Sequence, residues 1–255
     1  MAAKKGNEKA GGKAWFQKGE QGAKRAAQVD AEAQARRKEG GPRRFWLDSD
    51  QSGKVTFLDT PQFFLHEHNL KLSGKFFNFF TCIKDVDVCP ICESGDNPSY
   101  VLVGTVINHR EYKDKDGNVH TNQKQLFVAK GRARQRLMKQ IERREGNLRG
   151  AVFEMARGSS PTECSTGEDF EFIGRLTDEK MKLLIPDGEK ADWLEPFSYE
   201  ELLKPKTVEE LRAIVGQAPP VGAEKSNQAE DEEGPEPKEE KKSGKEGVKS
   251  IDDLL

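Results

Sequence analysis

The stretch that decides the fold runs from residue 66 to residue 92 and reads HEHNLKLSGKFFNFFTCIKDVDVCPIC. It contains three of the chain's four cysteines, and the last two form a Cys-x-x-Cys pair. One histidine and three cysteines in this order supply the nitrogen and sulfur donors of a closed, tetrahedral zinc site. The candidate ligands are His68, Cys82, Cys89 and Cys92. The predicted cofactor is therefore one structural zinc ion.

Two ambiguities accompany this prediction. His66 competes with His68, because side chains two residues apart on a strand point to the same side of the sheet. The cysteine pair could also be a redox-active dithiol, a disulfide or buried thiols without a metal. A redox pair is expected to open a helix that follows a strand, whereas Cys92 leads into a Ser-Gly-Asp-Asn-Pro loop. This difference favours zinc.

Outward from this stretch, the sequence is typical of short strands that are rich in β-branched and aromatic residues. Residues 100–112 and 119–130 predict a hairpin, whose connecting loop contains an Asp-Gly step that favours positive φ. A helix is predicted over residues 131–145, with Gly146 as its stop. Further strands are predicted over residues 54–59, 63–70, 75–82, 148–157 and 169–176. Without the zinc segment, five strands and one helix in this order match an OB-fold barrel.

We therefore expect a mainly β protein with some α: a five-stranded OB-fold barrel with an inserted zinc sub-domain, short C-terminal helices and disordered tails. Ser198 with Glu201, and Thr207 with Glu210, match the capping-box pattern in the helical part. The predicted divisions are a flexible basic arm at 1–42, the OB-fold core at 43–176 with the zinc sub-domain at about 62–99, a helical extension at 177–218, and a disordered acidic tail at 219–255 with a partner-binding tip.

The charge is unevenly distributed, although the net charge is only −2. Residues 1–40 carry ten Lys/Arg against five Asp/Glu, residues 124–157 carry ten against three, and residues 221–255 carry six against eleven. A basic arm and middle with an acidic tail indicate a protein that binds a polyanion. No apolar run reaches the length of a membrane span. We therefore expect a soluble protein without a membrane partner, in a reducing compartment such as the cytoplasm.

The hairpin and the helix after it carry what single-stranded nucleic acid requires, namely cations for the phosphates and rings on which bases stack. Such contacts give salt-dependent affinity without sequence preference. An ordinary solvated surface is the alternative interpretation of the helix charges. The candidate DNA-binding residues are Trp46, Arg110, Tyr112, Lys124, Lys130, Arg132, Arg134 and Arg136.

With these features the chain resembles the single-stranded-DNA-binding, helix-destabilising replication proteins of tailed bacteriophages, of the T-even type and its relatives. The resemblance lies in the order of the four candidate ligands, in the two charged tails and in the acidic-aliphatic end of the chain. It implies an OB fold, one zinc ion, the host cell cytoplasm as location, and binding and protection of single-stranded DNA in replication, recombination and repair. It also implies recruitment of replication and recombination proteins by the terminal residues Ile251, Asp252, Asp253, Leu254 and Leu255.

Two further expectations concern the tails. Self-association on DNA is implied by a basic arm, although residues 24–27 lack the hydroxyl side chains of the T-even arm motif. The opposed charges predict that the acidic tail competes with DNA for the basic groove.

Catalysis is not expected, because the chain contains no phosphate-binding loop, nucleophile elbow or dinucleotide fingerprint. Three thiolates and one imidazole would also leave zinc without an open position for a reactive water. The main alternative function is a zinc-containing transcription or recombination accessory factor that acts on duplex DNA or on protein. A metal-dependent nuclease using His66, His68 and His120 ranks last.

Overall fold

The computed structural model describes residues 42–72, 77–113, 117, 119–160, 162–216 and 251–255. All of them belong to one compact unit, Pro42–Leu255. The predicted basic arm up to residue 41, and residues 217–250 of the predicted acidic tail, lie outside the described residues. Within the described part of the chain, no helix is both long and apolar enough to cross a membrane.

The protein is mainly β, with several short helices. The strands are β1 (Ser52–Phe57), β2 (Phe63–Lys71), β3 (Phe77–Thr81), β4 (Ser99–Asn108), β5 (Tyr112–Lys113), β6 (Val119–His120), β7 (Gln123–Lys130), β8 (Ala151–Ala156) and β9 (Asp169–Arg175). The helices are α1 (Pro90–Glu93), α2 (Gly131–Glu142), α3 (Asp178–Lys182), a 3-10 helix (Ala191–Leu194), α4 (Tyr199–Leu202), α5 (Val208–Val215) and α6 (Ile251–Leu254).

The strand β4 organises the main sheet, because it is long enough to pair with three antiparallel neighbours. β1 and β2 lie end to end along one edge of β4, and β7 pairs along the other edge. The sheet order is β3-β2-β4-β1-β8-β9, with β7 branching from β4. Within the described residues, strand pairing does not close this antiparallel sheet into a barrel.

The main hydrophobic core lies between the sheet and α2, which buries a narrow apolar stripe against the sheet. Ala133 and Leu137 of α2 are buried in the same cluster as three phenylalanines of the sheet. The ring centroid of Phe57 lies 5.3 Å from that of Phe127 and 5.7 Å from that of Phe153. This packing leaves most of the arginines of α2 on the opposite, solvent-facing side.

The helical extension packs on the outer side of β2, β4 and β7. The Tyr199 hydroxyl anchors it: it donates to Asp59 Oδ2 at 2.6 Å and lies 2.6 Å from Thr105 Oγ1. The predicted capping box at Thr207 is confirmed at the start of α5. The one predicted at Ser198 is wrong, since that side chain makes no capping hydrogen bond.

The predicted hairpin forms, but its first strand is shorter than the prediction. β4 ends at Asn108, so Arg110 lies in a connecting segment and Tyr112 in the short strand β5. Both residues were expected within one strand over residues 100–112. The loop glycine, Gly117, has the predicted positive φ, at 83°.

The end of the chain also differs from the prediction. The tail was expected to be disordered as far as residue 255, yet Ile251–Leu254 form the helix α6. Ile251 and Leu254 are each only 5% exposed. The last turn of the chain is therefore a packed element of the body.

His109 makes the stability of this fold depend on pH. Burial lowers the pKa of His109 to about 4 from an unfolded value of 6.5. Its ring nitrogens lie 2.7 Å from Thr56 Oγ1 and 2.7 Å from Asn122 Oδ1, a pattern that the neutral ring satisfies. Because the unfolded chain binds the extra proton, the free energy of unfolding falls as the pH drops from about 6.5 towards 4.

This loss amounts to about 3 kcal/mol at most, and we expect the variant His109→Gln to lack it. Chemical unfolding at about pH 7 and about pH 4.5 measures the difference between the two proteins. The same fall in stability in wild type and variant would contradict the assignment to His109.

Candidate metal centre and nucleic-acid interface

The structure brings His68, Cys82, Cys89 and Cys92 together. Their ligand atoms all lie within 4.8 Å of one another. His68 Nε2 is 3.4 Å from the Sγ of Cys89 and 3.5 Å from that of Cys92, and the Sγ atoms of Cys82 and Cys92 are 3.6 Å apart. Donors placed tetrahedrally about 2.0–2.3 Å from one ion are about 3.5–3.8 Å from each other. The cluster therefore fits one four-coordinate metal ion.

The structure also shows which of the two histidines of β2 belongs to the metal cluster. The fully buried His68 directs Nε2 at the thiols, while its Nδ1 lies 2.5 Å from Asp96 Oδ2. A carboxylate on the second ring nitrogen is the usual way to orient a metal-binding imidazole. His66 instead directs Nδ1 to Asp85 Oδ2 at 2.9 Å and lies outside the cluster.

The cysteines are held by local backbone structure. Cys82 directly follows β3, and its N–H donates to the carbonyl of His66 at 2.8 Å. Cys89 precedes the one-turn helix α1, and Gly95, with φ of 96°, turns the chain away after it. The pair thus opens a helix, but it follows an irregular segment and not a strand. A third thiol, Cys82, and His68 complete the cluster. A redox dithiol needs neither of them, so the arrangement favours a metal site.

The three thiols of the cluster differ in acidity. Burial raises the pKa of Cys82 to about 12 and also raises that of Cys92. Burial acts in the same direction on Cys89, but hydrogen bonds from neighbouring backbone N–H groups and from His68 outweigh it and lower its pKa to about 7. A bound cation would favour the thiolate form of all three, so metal binding would release protons.

The metal cluster is braced by the helix α5, which comes more than one hundred residues later in the chain. Ile91 between the paired cysteines and Leu211 of α5 are both fully buried in one apolar cluster. The neighbouring Thr81 hydroxyl donates to the carbonyl of Leu203 at 2.7 Å. The sequence prediction limited the metal sub-domain to about 62–99 and missed this helix, since its apolar residues do not indicate what they pack against.

A second feature is a surface cleft of about 480 Å³ where β4 begins, β7 ends and α2 starts; we call it the basic cleft. Three of the predicted DNA-binding residues, Lys130, Arg132 and Arg134, line it together with Tyr100. The Arg134 guanidinium lies 5.0 Å from the Tyr100 ring centroid and donates to the Tyr100 carbonyl at 2.6 Å. One acidic group, Glu168, lies 3.9 Å from Arg132.

Beside the basic cleft lies an aromatic platform that the sequence prediction missed. The rings of Phe64 and Tyr100 are stacked at 5.8 Å and are 39% and 44% exposed, respectively. The His66 ring lies 4.7 Å from that of Tyr100. Strand alternation placed Phe64 and His66 on one face, but the pairing of His66 with Tyr100 depends on the register of β2 with β4.

Two of the predicted DNA-binding residues are occupied by contacts within the body. Trp46 Nε1 donates to Asp48 Oδ1 at 2.9 Å. The Arg110 guanidinium donates to Gln51 Oε1 at 3.0 Å and to the carbonyl of Trp46. Burial lowers the pKa of Arg110. Both side chains therefore make hydrogen bonds within the body.

The remaining three predicted residues lie away from the platform or at the margin of the cleft. Lys124 Nζ lies 4.6 Å from the ring centroid of Phe197, and burial lowers the pKa of Lys124. The Tyr112 ring lies 5.2 Å from the guanidinium of Arg43. Arg136 donates to the carbonyl of Glu168 at 2.6 Å, one turn of α2 beyond Arg132.

Another cleft, of about 590 Å³, lies at the opposite end of α2; we call it the second basic cleft. It is lined by Arg143, Arg144, Arg175 and the 40% exposed Phe172. The Arg144 guanidinium lies 3.9 Å from the Phe172 ring centroid. This site therefore also combines cations with an exposed ring, and it was not predicted from the sequence.

No model of a known protein family matches the chain, and a search among curated proteins gives no significant match.

Proposed function

We propose that the protein binds single-stranded DNA without sequence preference and protects it during replication, recombination and repair. The observation that carries the proposal is the exposed stack of Phe64 and Tyr100 beside the three cations of the basic cleft. Exposed rings offer bases a stacking surface worth about 1–3 kcal/mol per base. The neighbouring cations are placed to contact the phosphates of the same strand.

The strand order supports an OB-fold interpretation of the body. β7-β4-β1-β8-β9 is the neighbour order of OB strands 3-2-1-4-5, and α2 lies between β7 and β8 as the OB helix does between strands three and four. OB folds bind oligonucleotides on the face of strands two and three. Those strands correspond to β4 and β7, which carry Tyr100 and Lys130 at the edge of the basic cleft.

The metal in this proposal is a structural zinc ion. Three thiolates and one imidazole form a soft, complete tetrahedral donor set. Such an ion would hold β2, β3 and α1 together next to the aromatic platform, since His66 of that platform lies two residues before the ligand His68. A complete donor set leaves no position for a substrate on the metal, so the role proposed for the ion is structural, and the function proposed for the protein is binding without catalysis.

The roles proposed for the two tails come from the resemblance to the phage proteins. The acidic tail would recruit replication and recombination proteins through Ile251–Leu255, and the basic arm would support self-association on DNA. The location proposed with these roles is the host cell cytoplasm.

A fluorescence titration with poly(dT) and with duplex DNA of equal length tests the proposed function. We expect binding to poly(dT) that is at least about tenfold tighter than binding to the duplex. With about three phosphate contacts, affinity should fall about tenfold to twentyfold between about 50 and 200 mM salt. Equal or tighter binding to the duplex would instead support the accessory factor that acts on duplex DNA.

A further inference from the structure

The helix α6 fills a groove beside β1, β8, β9 and α3; we call it the terminal groove. Ile251 and Leu254 pack into one apolar cluster with residues from several elements of the body. The other buried members of this cluster are Leu58, Ile107, Val152, Leu176, Met181, Leu184 and Leu194. Without α6 this cluster would be open to solvent, and exposed apolar surfaces of this kind mark binding sites.

Polar contacts fix the orientation of the helix in the terminal groove. Lys54 Nζ pairs with Asp252 Oδ1, and Lys180 Nζ donates to the carbonyl of Leu254. Leu255 lies against Gly174, where an added Cβ would come within 2.9 Å of Leu255 Cδ2. The groove thus matches both the aliphatic and the acidic residues of the terminal sequence.

We propose that the terminal groove is a binding site for acidic-aliphatic peptides and that its resident ligand is the chain's own end, Ile251–Leu255. Short amphipathic helices are commonly bound in this way, with apolar anchors in a groove. Residues 217–250 connect α5 to α6, and a chain of that length can span up to about 110 Å. The connection therefore does not force the terminus into the groove, and the apolar and polar contacts of α6 must hold it there.

The terminal groove is distinct from the basic cleft. Ile107 lies in the apolar cluster of the groove and pairs with Lys124, whereas Val101 pairs with Lys130 at the cleft. Six residues along β4 separate these positions by about 20 Å. The terminal residues therefore occupy a site other than the cleft proposed to bind DNA.

An occupied groove hides Ile251 and Leu254, so a partner that binds these residues must compete with the groove. This consequence rests on the proposed recruitment of partner proteins, whereas the groove itself does not. Binding of a partner would then require the terminus to leave the groove, and the recruitment peptide would be available for only part of the time.

The test uses the full-length chain and a fluorescein-labelled synthetic peptide of residues 246–255, followed by fluorescence anisotropy. The double variant Ile251→Asp/Leu254→Asp vacates the groove. We expect this variant to bind the peptide at least about tenfold more tightly than wild type does. In wild type the tethered terminus competes with the peptide for the groove at a millimolar effective concentration. The same peptide with Leu254→Asp should not bind.

A matched pair of charge reversals locates the binding. Added to the vacated variant, Lys54→Glu should weaken peptide binding at least about fivefold, whereas Lys182→Glu, an exposed position on α3, should leave it unchanged. Thermal unfolding shows whether each variant is folded. Equal binding to wild type and vacated variant, or no binding to a folded vacated variant, would overturn the proposal.

Size-exclusion chromatography shows whether the groove is filled by the chain's own terminus or by the terminus of another copy. A wild type that is dimeric and a vacated variant that is monomeric would mean that the terminus fills the groove of another copy, and this would overturn the intramolecular site. None of these measurements uses DNA. A negative poly(dT) titration would therefore reject the proposed function without affecting the groove.

Discussion

The variant Cys89→Ala is expected to lose its bound metal and to be strongly destabilised. A tetrahedral site that loses one of four ligands also loses most of its affinity, and binding energy at a structural site is folding energy. Structural zinc contributes about 10–16 kcal/mol in small finger peptides. Even a fraction of this amount is large beside the stability of a typical domain, about 5–15 kcal/mol. We expect the melting temperature to fall by more than about 10 °C.

Elemental analysis gives the metal content per chain, and calorimetry gives the melting temperature. Cys164→Ala is the matched control, since Cys164 is an equally buried thiol outside the cluster, with its Sγ 3.1 Å from Thr166 Oγ1. It should retain one metal ion per chain, as should His66→Ala. His68→Ala should behave like Cys89→Ala. A Cys89→Ala protein with one metal ion per chain would contradict the assignment of the ligands.

The variant Tyr100→Ala is expected to weaken binding to single-stranded DNA about tenfold to a hundredfold. This range lies within the about 1–3 kcal/mol that one stacked base contributes, since about 1.4 kcal/mol corresponds to a tenfold change in affinity. The ring is exposed and lies against Phe64 and Arg134, so its removal leaves the hydrophobic core intact. The effect should therefore be seen in the poly(dT) titration and be nearly absent from thermal unfolding.

Phe172→Ala is the control for this experiment, because Phe172 is also exposed, also contacts an arginine and lines the second basic cleft. We expect it to bind poly(dT) as wild type does. If Phe172→Ala lost affinity and Tyr100→Ala did not, the strand would bind at the second basic cleft. If neither variant lost affinity, neither cleft would bind bases by stacking.

The metal cluster could be predicted from the sequence because its chemistry is concentrated in one short window. Four soft donors within 25 residues are typical of a structural metal site, and the structure brings all four together. The choice between His66 and His68 could not be made, since strand alternation treats both alike. It depends on where two aspartates lie, namely Asp85 beside His66 and Asp96 beside His68.

The basic cleft was predicted in part. Lys130, Arg132 and Arg134 are close in sequence and on consecutive elements, so charge patterning was sufficient to find them. Phe64 and Tyr100 were missed because their contact depends on which residues of β2 and β4 pair. Strand register is a tertiary property, and no local pattern of either strand specifies it.

The docked terminus was missed because the composition of the tail indicates disorder while the contacts of its end are remote in sequence. Lys54, which pairs with Asp252, lies 198 residues earlier in the chain. Strands and helices were found where local patterns determine them, as for α2. The details at their ends differed from the prediction where strand pairing or helix capping determines them. Examples are the end of β4 at Asn108 and the absence of a side-chain cap from Ser198 at the start of α4.

The helix α5 gives the metal cluster an influence beyond its own loop. The segment from Tyr199 onwards is held by hydrogen bonds to Asp59 and Thr105, passes Thr81 and ends in α5, whose Leu211 is buried with Ile91 in the apolar cluster of the metal site. The extension is therefore a strap across β4, β2 and β3, secured at one end by hydrogen bonds and at the other by the metal site. Segments joined in this way open together as one cooperative unit. A single bound ion would therefore control the local unfolding of the helical extension together with β2 and β3.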